Sequence, residues 1–248
     1  MRMIGIIPAR LASSRFPGKL LVDIKGKTLI QRTYERALAS PYFDEVYVVT
    51  DDASIAQHVQ RLGAKVFMTS KECQTGTDRI IEALKNNDEL QSSDFIVNVQ
   101  GDEPLLPLSA IEKIYLAFKQ NPHEEVITCV KKIIDKDEIK APNVVKCVFD
   151  KNGYALYFSR SPIPFSSEKN HDYFRHFGIY GFSKEFLLNF DTSTESSLQI
   201  AEELEQLKFL EHGHKIKVCT IDEITHDVNV PEDIVKVEQL LCLQNSSL

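Results

Sequence analysis

No run of 18 apolar residues occurs in this 248-residue chain, so no membrane-spanning helix is expected. The apolar stretch at the start, MRMIGIIPAR, leads into Arg10 and carries no small-residue cleavage site; it reads as a first strand rather than a signal peptide. Cysteine pairs are missing too. The five cysteines, at 73, 129, 147, 219 and 242, are odd in number and include no C-x-x-C, and several lie in apolar runs such as VKCVF. This fits buried free thiols in a reducing cytoplasm and not a zinc site. There is no internal repeat and no long linker. Positive charge is in deficit, with a net charge of -7, which argues against general nucleic-acid binding.

What is present is ordinary in bulk and uneven in detail. The chain is 43% hydrophobic and 26% charged, the balance of a soluble globular enzyme. Its length suits one large α/β domain or two small lobes. Yet residues 1–36 carry Arg2, Arg10, Arg15, Lys19, Lys25, Lys27, Arg32 and Arg36 against only Asp23 and Glu35. A basic segment in an acidic chain marks either a local anionic ligand or a solvated stripe.

Strand and helix patterns alternate. MIGIIPA, EVYVVT, KVFMTS and DFIVNVQ are short apolar, β-branched runs and predict strands. Between them, residues 28–39, DDASIAQHVQRLG and TGTDRIIEALKNN predict helices, the second with an Asp cap and a terminal Gly. A further helix is expected at 108–119. The alternation predicts a Rossmann-like, mostly parallel mixed sheet flanked by helices. Ligands of such sheets sit beyond the carboxyl ends of strands. Arg10, Asp51, Asp52, Asp102 and Glu103 fall there. In the second half, EEVITCVKKI, NVVKCVFD, YALYFSR, RHFGIYGF and KIKVCTI read as strands, with a hairpin turn at D-K-N-G (150–153). Residues 198–212 predict one strong helix, PEDIVKVEQLLCL predicts a closing helix, 164–173 a mobile loop, and the last residues a frayed tail.

The segment I-I-P-A-R-L-A-S-S-R-F-P-G-K at 6–19 ends a strand in a loop of small residues that offers Arg10, Arg15 and Lys19. Small residues let backbone N–H groups approach an anion, arginines clamp phosphate oxygens with paired donors, and lysine adds a point charge. G-x-x-x-x-G-K-[ST] is absent, so this is no Walker loop. VNVQGDEP at 97–104 delivers Gln100, Gly101 and Asp102 to a sheet edge, where a carboxylate can bind a hard cation that also touches phosphates. The bland alternative there is an Asp-stabilised turn. TGTDR at 75–79 opens a helix whose free N–H groups and Thr hydroxyls can read a pyrimidine or ribose, or simply cap the helix. Capping is also the default role for Asp51 and Asp52. H-F-G-I-Y puts His176, Gly178 and Tyr180 on one strand face by the period of two. Glu202 and Gln206 fall one turn apart on the predicted helix, with Leu204, Leu207 and Leu210 on another face.

The loop form R-x-x-S-x-R-x-P-G-K resembles that of the sugar-acid cytidylyltransferases, and most of all the 3-deoxy-manno-octulosonate (Kdo) cytidylyltransferases. The resemblance runs along nearly the whole chain. It includes TDD at 50–52, TGTDR, VNVQGDEP, VKCVFDKNGYALYFSRSPIP at 145–164, HFGIYGF at 176–182, LEQLKFLE at 204–211 and V-x-V-PED at 228–233. It implies a nucleotide-diphospho-sugar transferase fold in a single domain. The nucleotide half would span about 1–120 and 205–245, the sugar-binding and dimerisation part about 121–204.

The implied reaction is CMP transfer from CTP to the anomeric hydroxyl of Kdo, with Mg²⁺, feeding lipopolysaccharide synthesis. The resemblance implies that Pro8, Ala9, Arg10, Arg15, Lys19, Gly76, Thr77 and Asp102 bind nucleotide, and that Arg10, Arg15, Lys19 and Asp102 carry the chemistry. Gln100, Arg160, His176, Tyr180, Glu202 and Gln206 would bind the sugar acid, with Arg160 on its carboxylate. It also implies a cytoplasmic homodimer with no nucleic-acid partner. The chain departs from the family at one place. Asn229 stands where an Asp is usual as a second metal ligand, so Asp227 or Asn229 is expected to join Asp102 at the metal. CMP-sialate synthesis, an amino analogue of Kdo, and a CTP-binding regulator without activity are the other readings.

Overall fold

The computed structural model describes residues 1–11, 16–167, 171–223 and 226–245. Arg15, the centre of the predicted loop at 164–173 and the end of the tail lie outside them. The chain forms two compact units, Met1–Ile111 with Ile224–Leu248, and Glu112–Glu223.

The strands named here are β1 (Met3–Ala9), β2 (Glu45–Thr50), β3 (Lys65–Met68), β4 (Phe95–Asn98), β5 (Val126–Lys132), β6 (Lys146–Phe149), β7 (Ala155–Ser159), β8 (Phe174–Ser183) and β9 (Ile216–Thr220). The helices are α1 (Leu29–Leu38), α2 (Ala53–Arg61), α3 (Gly76–Asn86), α4 (Leu108–Gln120), α5 (Ser197–Glu202), α6 (Gln206–Glu211) and α7 (Glu232–Asn245).

In the first unit, β1 pairs in parallel with β2 and with β4, and β2 with β3. Parallel neighbours need crossovers, and α1, α2 and α3 occupy those stretches of chain. Strands covered on both faces read as continuous apolar runs; Ile4, Ile6, Ile7, Val48, Val49, Ile96 and Val97 are fully buried. The helix starts follow side-chain chemistry. Thr28 accepts from Gln31 N, and Asp52 from Ser54 N and Ile55 N. Thr75 and Asp78 form a reciprocal capping box. Asp52 therefore caps as expected. Asp51 instead pairs with buried Arg79 at 3.3 Å. The parallel register sets Ala9 beside Thr50 and Ile6 beside Asn98, so the segments after β1, β2 and β4 leave from one edge.

The second unit is mixed: β9 is parallel to β5, while β8 runs antiparallel to β5 and to β6, and β6 to β7. The turn at 150–153 joins β6 to β7, with Gly153 at φ +76°. Gly181 lies against Ile114 and Phe118 of α4, where a Cβ would come within 2.4 Å of Ile114.

One predicted element is corrected. Residues 198–212 are two short helices, α5 and α6, broken at Glu203, whose φ is +53°. Local propensity favours one helix. Burial of Leu204 and the hold of Glu202 on the end of β7 compete with it and win. Glu202 and Gln206 consequently do not share a helix face.

Candidate functional site

Each unit holds a group of the residues singled out by sequence. In the first, β1 ends at Pro8 and buried Ala9, and Arg10 follows, exposed, with one long hydrogen bond to the Gln74 carbonyl at 3.4 Å. The chain turns back through Gly18, at φ +70°, whose N–H donates to Leu11 O. That turn aims Lys19 inward. Its ammonium pairs with the Asp102 carboxylate and donates to Val228 O at 2.9 Å, while Val228 N–H donates to Asp102 O at 3.0 Å. Lys19, Asp102 and Val228 thus close on one another from three separate stretches of chain.

Two glycines are explained by close approach to Pro8. A Cβ on Gly76 would sit 3.2 Å from Pro8 Cγ, and one on Gly101 would sit 3.3 Å from Pro8 O. Thr75 is the cap of α3, so the Thr77 hydroxyl is left for another use; it is buried and has no hydrogen-bond partner among the described residues.

Beside Val228, the Asn229 amide donates to the Asp227 carboxylate. Asn229 N–H and Val230 N–H both donate to Asp233 Oδ2, at 2.9 and 3.1 Å. Burial pushes the Asp233 carboxyl up, but those donors with His226 and Lys236 outweigh it and hold the pKa below its ordinary value. Asp233 therefore fixes the turn that presents Asp227 and Asn229. Gln100 is half-buried after β4 in this same unit, apart in sequence from the other predicted sugar contacts.

In the second unit, Ser159 closes β7 and Arg160 follows it. Glu202 receives the Ser159 hydroxyl at 2.6 Å and Arg160 N–H at 2.9 Å. The Arg160 guanidinium donates to the carbonyls of Glu202, Pro142 and Glu203 at 2.8, 3.1 and 3.3 Å. Those partners are neutral, so they fix the guanidinium without cancelling its charge.

His176 and Tyr180 keep to one face, with ring centroids 5.4 Å apart, although β8 is irregular between Phe177 and Tyr180. The Thr128 hydroxyl lies 2.8 Å from Ile179 O and 2.9 Å from His176 Nε2. Its single proton goes to the carbonyl, so it accepts from Nε2–H; this assigns the tautomer and leaves Nδ1 as the acceptor. A part of the residue reaches solvent, yet burial of the ring holds His176 neutral, its pKa lowered to about 3. Gln206 is 3% exposed and its Nε2 has no partner among the described residues.

Sequence reasoning missed Thr128, which sits unmarked in an apolar strand run. It also missed Lys146, read only as part of a strand. Lys146 is fully buried and its ammonium donates to Ala141 O at 3.0 Å, Val144 O at 2.6 Å and Arg160 O. A lysine inside an apolar strand, VKCVF, was the available signal.

The cytidylyltransferase family profile matches residues 4–216. The chain is 46% identical to the 3-deoxy-manno-octulosonate cytidylyltransferase of Protochlamydia amoebophila, covering 100% of this chain and 97% of that one. It is also 46% identical to the protein of that name from Chlamydia pneumoniae, over 98% of this chain and 95% of that one. Among solved structures, a CMP:2-keto-3-deoxy-manno-octonic acid synthetase complexed with CTP superposes with a TM-score of 0.91. It has 36% identity and covers 98% of this chain and 100% of that one. A 4-diphosphocytidyl-2C-methyl-D-erythritol synthase from Anaerococcus prevotii shares the fold alone, with a TM-score of 0.60 at 18% identity over 97% of this chain and 96% of that one.

Proposed function

The chain belongs to the 3-deoxy-manno-octulosonate cytidylyltransferases, and from that premise we propose that it transfers CMP from CTP to Kdo, giving CMP-Kdo and pyrophosphate. The observation that carries this reading within the molecule is the meeting of Lys19, from the small-residue loop, with Asp102, from the turn after β4. It supports the reading because a cation able to hold phosphate and a carboxylate able to hold a metal ion meet at the edge where parallel sheets take ligands.

The anomeric oxygen of Kdo attacks the α-phosphorus of CTP. The bond from that phosphorus to the bridging oxygen breaks, pyrophosphate leaves with the electron pair, and the hydroxyl proton passes to water. Such transfer depends on positioning and charge stabilisation, and needs no covalent enzyme intermediate. Arg10, Arg15 and Lys19 hold the triphosphate and the leaving pyrophosphate. Pro8, Ala9, Gly76 and Thr77 bound the nucleoside. Arg160, fixed by three carbonyls, holds the carboxylate of the sugar acid. Neutral His176 accepts from a sugar hydroxyl at Nδ1, and Gln100, Tyr180, Glu202 and Gln206 take the remaining hydroxyls.

Asp102, Asp227 and Asn229 offer oxygen ligands, which suit a hard divalent ion, and Val228, between the last two, is hydrogen-bonded to Asp102, whose carboxylate already takes one cation, the Lys19 ammonium. Asp102, with Asp227 or Asn229, would hold Mg²⁺. When bound, magnesium supplies charge neutralisation at the phosphates and polarises the attacking hydroxyl.

The same reading extends to a cytoplasmic homodimer that serves lipopolysaccharide synthesis. The free thiols support a reducing compartment. No helix among the described residues is long and apolar enough to cross a membrane. Leu156, Phe165 and Ile200 of the second unit expose apolar surface that a second copy would cover.

The test is pyrophosphate release from CTP with Kdo, its amino analogue or sialic acid, each with magnesium. Kdo is expected to turn over fastest. Faster turnover of sialic acid or the amino analogue overturns the substrate, and no release with any of them overturns the enzyme.

A further inference from the structure

Asn98 is the last residue of β4. Its side chain is 0% exposed, and neither its Oδ1 nor its Nδ2 has a hydrogen-bond partner among the described residues. The amide lies against the start of α3, with Nδ2 3.6 Å from where a Cβ on Gly76 would be and Pro8 Cγ 3.2 Å from that same point. The residue after Gly76 in the helix, Thr77, is 2% exposed and its Oγ1 is also unpartnered among the described residues. The helix start has no claim on either group, because Thr75 and Asp78 already cap each other.

Two buried polar side chains without bonds among the described residues, one lying against Gly76 and the other belonging to the residue after it, are costly. Each unmet donor or acceptor loses its hydration and gains nothing in return. Asparagine is also disfavoured in strands, whereas leucine has nearly its shape and would lie dry at no such cost. A polar group kept in that condition calls for a partner from outside the described chain, and a bound ligand is one that would supply it.

We propose that Asn98 is a binding residue for the base of CTP, acting with Thr77, and that it sets the preference for cytosine over uracil. A primary amide presents a donor and an acceptor together, which complement the amino group and N3 of cytosine. Packing of the amide with Nδ2 toward Gly76 sets which way it turns, and the Thr77 hydroxyl, able to donate or accept, offers a further bond. The inference rests on the reading of this corner as the nucleotide site and adds the residue that reads its pyrimidine.

The test is Asn98→Leu, compared with the parent for melting temperature without nucleotide and for calorimetric Kd of CTP and UTP. The expected result is an equal or higher melting temperature, CTP binding weakened roughly 10–100-fold, and a smaller ratio of CTP to UTP affinity. Thr77→Val should shift the ratio in the same direction. CTP affinity within about twofold of the parent overturns the proposal. So does a leucine variant less stable than the parent, since the amide would then be bonded within the fold. If the parent itself fails to bind CTP, the functional reading falls first.

Discussion

Lys19 and Asp102, 83 residues apart in the chain, form an ion pair whose side chains are only 13% and 23% exposed. The pair is tied to Val228 through both the lysine ammonium and the Asp102 carbonyl. Partly buried charges are costly alone and roughly balanced together, so the pair contributes orientation more than net stability. It holds a cation and a carboxylate in place at the sheet edge before any phosphate arrives.

Replacing Lys19 with methionine should therefore have two effects. Turnover should fall about 10²–10³-fold, the usual loss for one preorganised group that stabilises developing charge. Stability should fall by about 1–3 kcal/mol, because Asp102 is left without its cation. Steady-state kinetics and urea midpoints check both, and parent-like turnover refutes the assigned role.

Arg160→Lys separates geometry from charge. Lysine keeps the charge, but one ammonium cannot span the carbonyls of Pro142, Glu202 and Glu203. KM for Kdo should rise about tenfold or more while KM for CTP stays near the parent value. An equal rise in both constants would point to general loosening instead.

Acid should act on the second unit through His176. Burial lowers its pKa from 6.5 to about 3. Between those values the unfolded chain binds the proton and the folded chain does not. The stability contribution is therefore complete above about pH 6.5 and is lost as pH falls toward 3. In His176→Gln that loss is removed, so the melting temperatures of parent and variant should converge or cross on acidification. A pH-independent difference between them would defeat the burial argument.

Asn229→Asp adds a carboxylate beside Asp227 and near the Lys19–Asp102 pair. Magnesium for half-maximal rate should fall several-fold, since a carboxylate binds the ion better than a neutral amide oxygen. Asp227→Ala and Asn229→Ala should each raise it. Unchanged dependence in all three variants removes both residues from the metal site.

Much of the fold was legible because it depends on near neighbours in the chain. Apolar runs and the period of the helices placed β1, β2, β4, α1 and α3, and Asp52 announced its cap. Lys19 and Asp102 stood out as candidates for the same reason, because each lies in a short, distinctive run of consecutive residues. The break at Glu203 was not, because α5 and α6 are separated by demands from β7 and the core that no local pattern contains. Lys146 and Thr128 were hidden likewise, since their partners come from other strands or from loops.

By itself, then, the order of residues decided most of the strands and helices, though not the break at Glu203, and which segments carry charge, since those energies act over a few positions. Only the folded chain decided that Lys19 meets Asp102, that Glu202 faces the end of β7, and that the Asn98 amide is buried beside Gly76. Each is a contact between distant segments, and its energy depends on burial that exists only once those segments are packed.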